Sequence, residues 1–219
     1  MKVLVACEFS GIVREAFAKR GHDAWSCDLL PTEIPGQHIQ GDVLEILNDG
    51  WDLMIAHPPC TYLTVTGNKW FKPEFMSRFP DRVQQRVDAI NFFMRLAATS
   101  INKICIENPV GLMSTLWRKP DQIIQPYQFG HKEAKLTCLW LKSLPLLRYG
   151  EAIQAALGET QAPSPTEIKI PEYTTFKSGK RMATWYVNAA KENNRADVRS
   201  KTFPGIAEAM AEQWGNLDD

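Results

Sequence analysis

The run Lys2-Val3-Leu4-Val5-Ala6-Cys7-Glu8-Phe9-Ser10-Gly11-Ile12-Val13-Arg14-Glu15-Ala16-Phe17 decides how the rest of the chain is read. Residues 2–7 are an apolar stretch of the kind that forms a buried strand. Gly11 opens a helix with apolar Ile12, Ala16 and Phe17 and charged Arg14, Glu15, Lys19 and Arg20, and Gly21 ends it. A buried strand, a short turn and a helix predict an α/β domain with a mainly parallel central sheet.

The same alternation continues outward. Residues 23–30 read as a second strand ending in Asp28, and residues 31–40 as a loop. Gly41-Asp42-Val43 starts a short third unit. Residues 51–56 read as a strand ending at His57-Pro58-Pro59-Cys60. Residues 61–79 hold glycine, proline and aromatics without periodicity and read as a loop over a site. Residues 81–99 form a helix with Val83, Val87, Ile90, Met94 and Ala97 on its apolar face. Residues 102–106 and 136–141 read as further strands, the first ending at Glu107-Asn108-Pro109. Beyond Gly150 the texture changes. Residues 161–171 resemble a linker, residues 177–201 are basic, and residues 203–214 form a closing helix with Ile206, Ala209, Met210 and Trp214 on one face. The expected organisation is a catalytic and cofactor-binding domain at 1–149, a small basic recognition region at 150–201 and a C-terminal helix at 202–219 that packs back on the domain.

Composition narrows the class. The 219 residues suffice for one substantial core. No apolar run approaches a membrane span, and the opening apolar stretch is too short for a signal peptide. These features predict a cytoplasmic protein without a membrane partner. The five cysteines stand singly, without a C-x-x-C pair. That argues against a zinc site and a disulfide framework. Four of them lie in strand-like segments and read as buried thiols; Cys60, after two prolines at a strand end, does not. The formal net charge is zero, so any nucleic-acid partner must be met by local clusters.

In open parallel sheets ligands bind beyond the carboxyl ends of the strands. The unusual residues collect at those ends: Glu8-Phe9-Ser10-Gly11, Asp28, Asp42, Pro58-Pro59-Cys60 and Glu107-Asn108-Pro109. Gly11 lets backbone approach a ligand at a helix N-terminus, and Asp28 is placed to accept hydrogen bonds from ribose hydroxyls. The pattern G-x-G-x-x-G is absent, because Val13 stands where a second glycine would come. A nucleoside cofactor without a pyrophosphate fits better than a dinucleotide. The proline pair stiffens the backbone that presents Cys60. Glu107 follows an apolar run, and burial there is expected to raise its pKa and help it hold a proton.

In this order these residues resemble the DNA cytosine-C5 methyltransferase family, and in particular its compact bacteriophage-type members. Phe9-Ser10-Gly11 resembles the first motif, Pro58-Pro59-Cys60 the proline–cysteine motif, and Glu107-Asn108 the glutamate–asparagine motif. Phe203-Pro204-Gly205 faintly resembles the last motif. The resemblance covers the chain to about residue 147. It implies a Rossmann-like, S-adenosylmethionine-dependent methyltransferase fold with a reduced recognition region. It implies a cofactor site at Phe9, Ser10, Gly11, Asp28, Leu29, Asp42, Val43 and Pro59. Cys60 would attack cytosine C6, and Glu107 would contact N3 and supply a proton. Asn108, Lys135, Lys177, Lys180 and Arg181 would meet the DNA. No metal is implied.

The resemblance has departures. Thr61 stands where the family has glutamine, and Pro109 where it has valine. An arginine-rich motif is not evident; His131, Lys132 and Lys135 stand in its place. The space for a recognition domain is short, and holds basic residues among Tyr173, Phe176, Trp185 and Tyr186. Two alternatives therefore stand beside the main reading. One is the same chemistry on deoxycytidylate or single-stranded DNA, with methyl or another group. The other is a catalytically silent DNA-binding relative. A methyltransferase of exocyclic amines is disfavoured, since a thiol follows Pro59 where that chemistry wants an aromatic.

Overall fold

The computed structural model describes residues 1–150, 168–192 and 195–217. Most of the linker-like stretch expected at 161–171 lies outside them.

Seven strands form one sheet: β1 (Lys2–Ala6), β2 (Asp23–Asp28), β3 (His38–Gln40), β4 (Leu53–Ala56), β5 (Lys103–Pro109), β6 (Gln122–Ile124) and β7 (Thr137–Lys142). Their order is β3-β2-β1-β4-β5-β7-β6. β7 runs antiparallel to both neighbours, and the other pairings are parallel. The expected α/β architecture with a mostly parallel sheet is present and is compatible with a Rossmann-like fold. The chain winds from β1 through β2 to β3, then returns to β4 on the other side of β1. That reversal opens a crevice beyond the ends of β1 and β4.

Strand alternation sorts the core into two layers. Val3, Val5, Leu53, Ile55, Cys105 and Leu139 face one side, where they meet Val13, Ala16 and Phe17 of helix α1 (Ile12–Ala18). Leu4, Ala6, Met54, Ala56, Ile104 and Ile106 face the other, against Phe93 and Leu96. Burial on both faces is why these strands read as continuous apolar runs. Short helix α2 (Pro73–Met76) precedes the long helix α3 (Arg82–Ala97), and α4 (Met113–Leu116) follows β5.

Helix α3 lies where the periodicity predicts it, but its buried face differs. Val83 and Val87 are exposed, and Phe93 and Leu96 are the residues fully inside. Only the C-terminal half of α3 lies over the sheet, so the first two turns gain nothing from apolar side chains. Phe93 there stacks edge-on against Trp117 and Trp140, with ring centroids 5.6 and 5.3 Å away.

Arg14, one of the charged residues of α1, is fully buried. Its guanidinium donates to Ser26 Oγ at 3.1 Å, Thr32 Oγ1 at 3.2 Å and the Ile34 carbonyl at 2.6 Å, and it pairs with Glu15. The charge is affordable inside because its donors are satisfied. In return it fixes the loop between β2 and β3.

A two-stranded hairpin, β8 (Tyr173–Thr175) and β9 (Arg181–Ala183), leads into helices α5 (Thr184–Ala189), α6 (Arg195–Ser200) and α7 (Pro204–Gly215). As expected, α7 packs back on the sheet layer, with Ile206, Ala209, Met210 and Trp214 buried beside α1. Gly205 is needed at its start, because a Cβ there would collide with the Phe129 carbonyl. Among the described residues no helix is long and apolar enough to cross a membrane.

Candidate functional site

The crevice at the sheet reversal holds a cavity of about 330 Å³, lined by Cys7, Cys27, Asp28, Leu29, Gly41, Asp42, Val43, Pro59 and Phe92. That size suits a nucleoside-scale ligand. Five residues expected to bind cofactor (Asp28, Leu29, Asp42, Val43 and Pro59) line it together. They come from the end of β2, the turn after β3 and the loop after β4. Asp28 Oδ1 accepts from the Leu30 N–H and Asp42 Oδ1 from the Leu44 N–H, both at 2.9 Å. Each carboxylate is thus held in place by its own turn. Leu29, Val43, Pro59 and Phe92 supply apolar wall. Two acids and an apolar wall fit ribose hydroxyls, an adenine ring and a cationic ligand. Phe92 was not foreseen, since it comes from α3. Cys7 was expected to be an ordinary buried thiol. It has φ 59°, a left-handed conformation uncommon for a side-chain-bearing residue, and is partly exposed at the cavity.

Phe9 and Ser10 lie next door. With Cys7, Glu8, His57, Ser200, Lys201 and Thr202 they line a second cavity of about 40 Å³. The Ser10 hydroxyl donates to Glu8 Oε1 at 3.1 Å. The same carboxylate accepts the Val13 N–H at 2.7 Å and the Arg14 N–H at 3.2 Å. Glu8 therefore fills the anion position at the start of α1 from within the protein. No phosphate is needed there, in keeping with the missing glycine pattern. Gly11 corrects the sequence reading. Its φ is 75°, and a Cβ on it would meet the Arg14 guanidinium at 2.7 Å. Its close approach is to Arg14 rather than to a ligand, and it lines neither cavity.

Cys60 follows Pro58-Pro59 at the end of β4. Its carbonyl accepts the Leu63 and Thr64 N–H groups at 3.0 and 3.1 Å, a tight turn that carries the chain away. Asn108 is buried, and its Nδ2 donates to the Pro58 carbonyl at 2.8 Å. Its amide thus anchors the cysteine loop rather than reaching outward. A second clasp joins the loops after Cys60 and Glu107: the Leu112 N–H donates to the Leu63 carbonyl at 2.7 Å. A Cβ on Gly111 would collide with that carbonyl. Burial, with the Glu107 charge behind it, pushes the Cys60 thiol above its ordinary value, against the opposing pull of Lys135.

Glu107 sits within β5, one residue beyond the end of its pairing with β4. Its Oε2 lies 3.2 Å from His57 Nδ1. Burial works against the carboxylate. Hydrogen bonds from His57 and Thr137 and the charges of Lys135 and His57 outweigh it and hold the carboxyl below the ordinary glutamate range. The expectation of a burial-raised Glu107 is overturned: the free site holds an ionised carboxylate beside a protonated thiol. Lys135, expected to meet the DNA, has its charge close enough to act on Glu107 and Cys60. Its ammonium donates to the Arg199 and Lys201 carbonyls at 3.0 and 3.4 Å, tying the end of α6 to the site.

The segment after Cys60 is more ordered than a loop. It forms a 3-10 helix at Val65–Phe71 and then α2. Arg86 of α3 pins it, donating to the Tyr62 carbonyl at 2.9 Å and to Asn68 Oδ1 at 2.8 Å. Its guanidinium lies 3.3 Å over the Phe71 ring. Lys69, Lys72 and Arg78 are exposed along this segment beside exposed Glu74 and Asp81, while Arg82 and Arg86 are partly buried against its aromatic rings.

The basic region expected after residue 177 is divided. Lys177, Lys180 and Arg181 are exposed around the β8–β9 turn, with Arg181 stacked 4.8 Å over Tyr173. Trp185 turns inward, donating to the Ala134 carbonyl at 2.8 Å and packing on Phe203. The cavity of about 400 Å³ below it is lined by Glu133, Glu172 and Glu192 as well as Lys132. It is neither a basic groove nor a small closed basic pocket. His131, standing near the absent arginine motif, accepts the Gly205 N–H at 2.9 Å and starts α7. Among the described residues no group of three or more His, Cys, Asp or Glu is placed to hold a metal ion. Comparison with protein-family models and with curated proteins finds no match to this chain.

Proposed function

We propose that this protein is an S-adenosylmethionine-dependent methyltransferase acting on carbon 5 of cytosine in DNA. One observation carries the reading: the Cys60 thiol and the Glu107 carboxylate follow adjacent parallel strands, close enough for the charge of one to act on the other, and Pro59, next to Cys60 in the chain, lines an acid-walled, nucleoside-sized cavity. Asp28 and Asp42 would hold the cofactor's ribose and its positive charge, and Leu29, Val43, Pro59 and Phe92 its adenine. The cofactor would supply an electrophilic methyl group.

The rest is the protein's own chemistry. Cytosine carbon 5 is a poor nucleophile until a nucleophile adds at C6. Cys60 is positioned for that addition by the Pro58-Pro59 turn and by the Asn108 clamp on Pro58. Its raised pKa means that the thiol must give its proton to a base as it attacks. Ionised Glu107 is the neighbouring acceptor. Once protonated, Glu107 can donate to N3 and stabilise the enamine that forms. The surplus of basic residues at 61–86, the segment that follows the nucleophile in the chain, supports a polyanionic partner over a free nucleotide. A base paired in a duplex would have to leave the stack to reach Cys60.

Trapping tests this directly. DNA containing 5-fluorocytosine cannot lose its C5 substituent as a proton, so the adduct persists. A denaturation-resistant complex, cofactor-dependent and mapped to the Cys60 peptide, is expected. Its absence with every cytosine context, while bound cofactor is detected, would sink the proposal.

A further inference from the structure

His57 was seen in the sequence only as the last residue before the proline pair. Strand alternation places it on the same sheet face as Glu107: Leu53 and Ile55 of β4 and Cys105 of β5 share that face. Ala56 is level with Ile106, so His57 is level with Glu107. The two side chains are 8% and 11% exposed and 3.2 Å apart.

Other histidines here show what a structural imidazole looks like. His38 is bonded through both nitrogens, Nδ1 to Ser26 Oγ at 2.9 Å and Nε2 to the Leu30 carbonyl at 3.0 Å. His131 caps a helix. His57 differs. Its Nδ1 is committed to a buried carboxylate, Glu107. Its buried Nε2 has no partner within the protein, as is also true of His22 Nε2. What sets His57 apart is the pairing with an acid. The residue lines the 40 Å³ cavity with Glu8, Ser10, Ser200, Lys201 and Thr202, a polar space large enough for a water-sized group.

We propose that His57 is a positioning residue that makes Glu107 a proton shuttle between the Cys60 thiol and cytosine N3. This rests on the proposed function for its last step, but its first step concerns the protein alone. The S–H bond of Cys60 breaks as the S–C6 bond forms. The proton passes to Glu107 and on to the N3 lone pair. His57, hydrogen-bonded through Nδ1, holds the carboxylate in place while it takes up the thiol proton and passes it on. When the S–C6 bond breaks, the N3 proton returns to sulfur. The C5 proton replaced by methyl leaves to solvent. The charged and titratable groups around this pair are Lys135, Cys60, Cys105 and Cys138 beside Glu107, and Glu8, Cys7 and Lys201 around the cavity that His57 lines.

The test needs neither cofactor nor DNA. The full chain is alkylated with iodoacetamide across pH 5–10, and the Cys60 peptide is followed by mass spectrometry. The wild type is expected to react at neutral pH faster than its raised thiol alone would allow, because Glu107 takes the proton as sulfur attacks. His57→Ala removes the N–H that holds Glu107 and should slow the neutral-pH reaction at least tenfold with an unchanged circular-dichroism spectrum, and His57→Gln, which can still donate an N–H, should recover most of the rate. Glu107→Gln, which leaves His57 in place, should lose the same rate and serves if His57→Ala does not fold. A His57→Ala profile superimposable on wild type, or a neutral-pH rate that survives Glu107→Gln, overturns the proposal. The expected profiles without methyl transfer to any base would leave the thiol's proton partner assigned and the methyltransferase reading wrong.

Discussion

His57 Nδ1 and Glu107 Oε2 lie 3.2 Å apart although the residues are 50 positions apart in the chain. Parallel pairing of β4 with β5 brings them level, and the pairing also sets the ionisation of the site. Glu107 is kept anionic despite its burial, and the thiol it faces is kept protonated.

Removing the charge of Glu107 while keeping its shape should therefore stop the chemistry and spare binding. Glu107→Gln is expected to lower kcat for methyl transfer about 100-fold or more, the range typical of losing a general acid–base group. Cofactor affinity, measured by calorimetry, should stay within a factor of three. A variant with near-normal kcat would show that Glu107 does not handle the proton.

The cavity walls make a separate prediction. Asp28→Ala and Asp42→Ala each remove a carboxylate held by its own turn. Each should weaken S-adenosylmethionine binding about tenfold, roughly one hydrogen bond's worth. Calorimetric titration reads this, and unchanged affinity in both variants would move the cofactor out of this cavity.

The clasp between the two loops predicts a stability effect. Gly111→Ala drives a methyl group into the Leu63 carbonyl. It should cost about 1–3 kcal/mol in urea unfolding, as overpacking commonly does. Gly41→Ala has open space and is the control. Equal stability of the two variants would mean that the loops separate without penalty.

Stability should also fall at both ends of the pH scale. The Glu107 carboxyl lies below the ordinary glutamate value of 4.5 in the folded chain. Its contribution is present above that pH and lost as pH falls through the lower folded value. The Cys27 thiol is pushed by burial from 9.0 up to about 11. From 9.0 upward the unfolded chain gives up this proton first, so stability declines across that window. Thermal melts at intervals of one pH unit test both limbs, and Cys27→Ala should make the alkaline one shallower without removing it, since burial also raises the Cys60, Cys105 and Cys138 thiols.

Legibility in the sequence followed burial. β1 and β4 were evident because strands covered on both faces are continuous apolar runs. The α7 face was evident because Ile206, Met210 and Trp214 recur at helical spacing and are all inside. β3 and β6 were not foreseen: each has only three residues, too few for a period, and lies at a sheet edge. The burial of Arg14 was not legible because a buried guanidinium depends on acceptors 12 to 20 residues away. Glu107 was misread for a related reason. Burial could be inferred from its apolar neighbours, whereas the countering contact from His57 appears only once two strands are in register. The strand ends themselves were legible, and five of the eight expected cofactor residues share one cavity.

The central claim is best tested by incubating the protein with tritiated S-adenosylmethionine and duplex DNA, single-stranded DNA or deoxycytidylate, with Cys60→Ala and Cys60→Ser alongside. The account predicts label in 5-methylcytosine of DNA and none with either variant. Label confined to deoxycytidylate would contradict the DNA substrate, and no transfer to any of the three despite cofactor binding would contradict the methyltransferase itself.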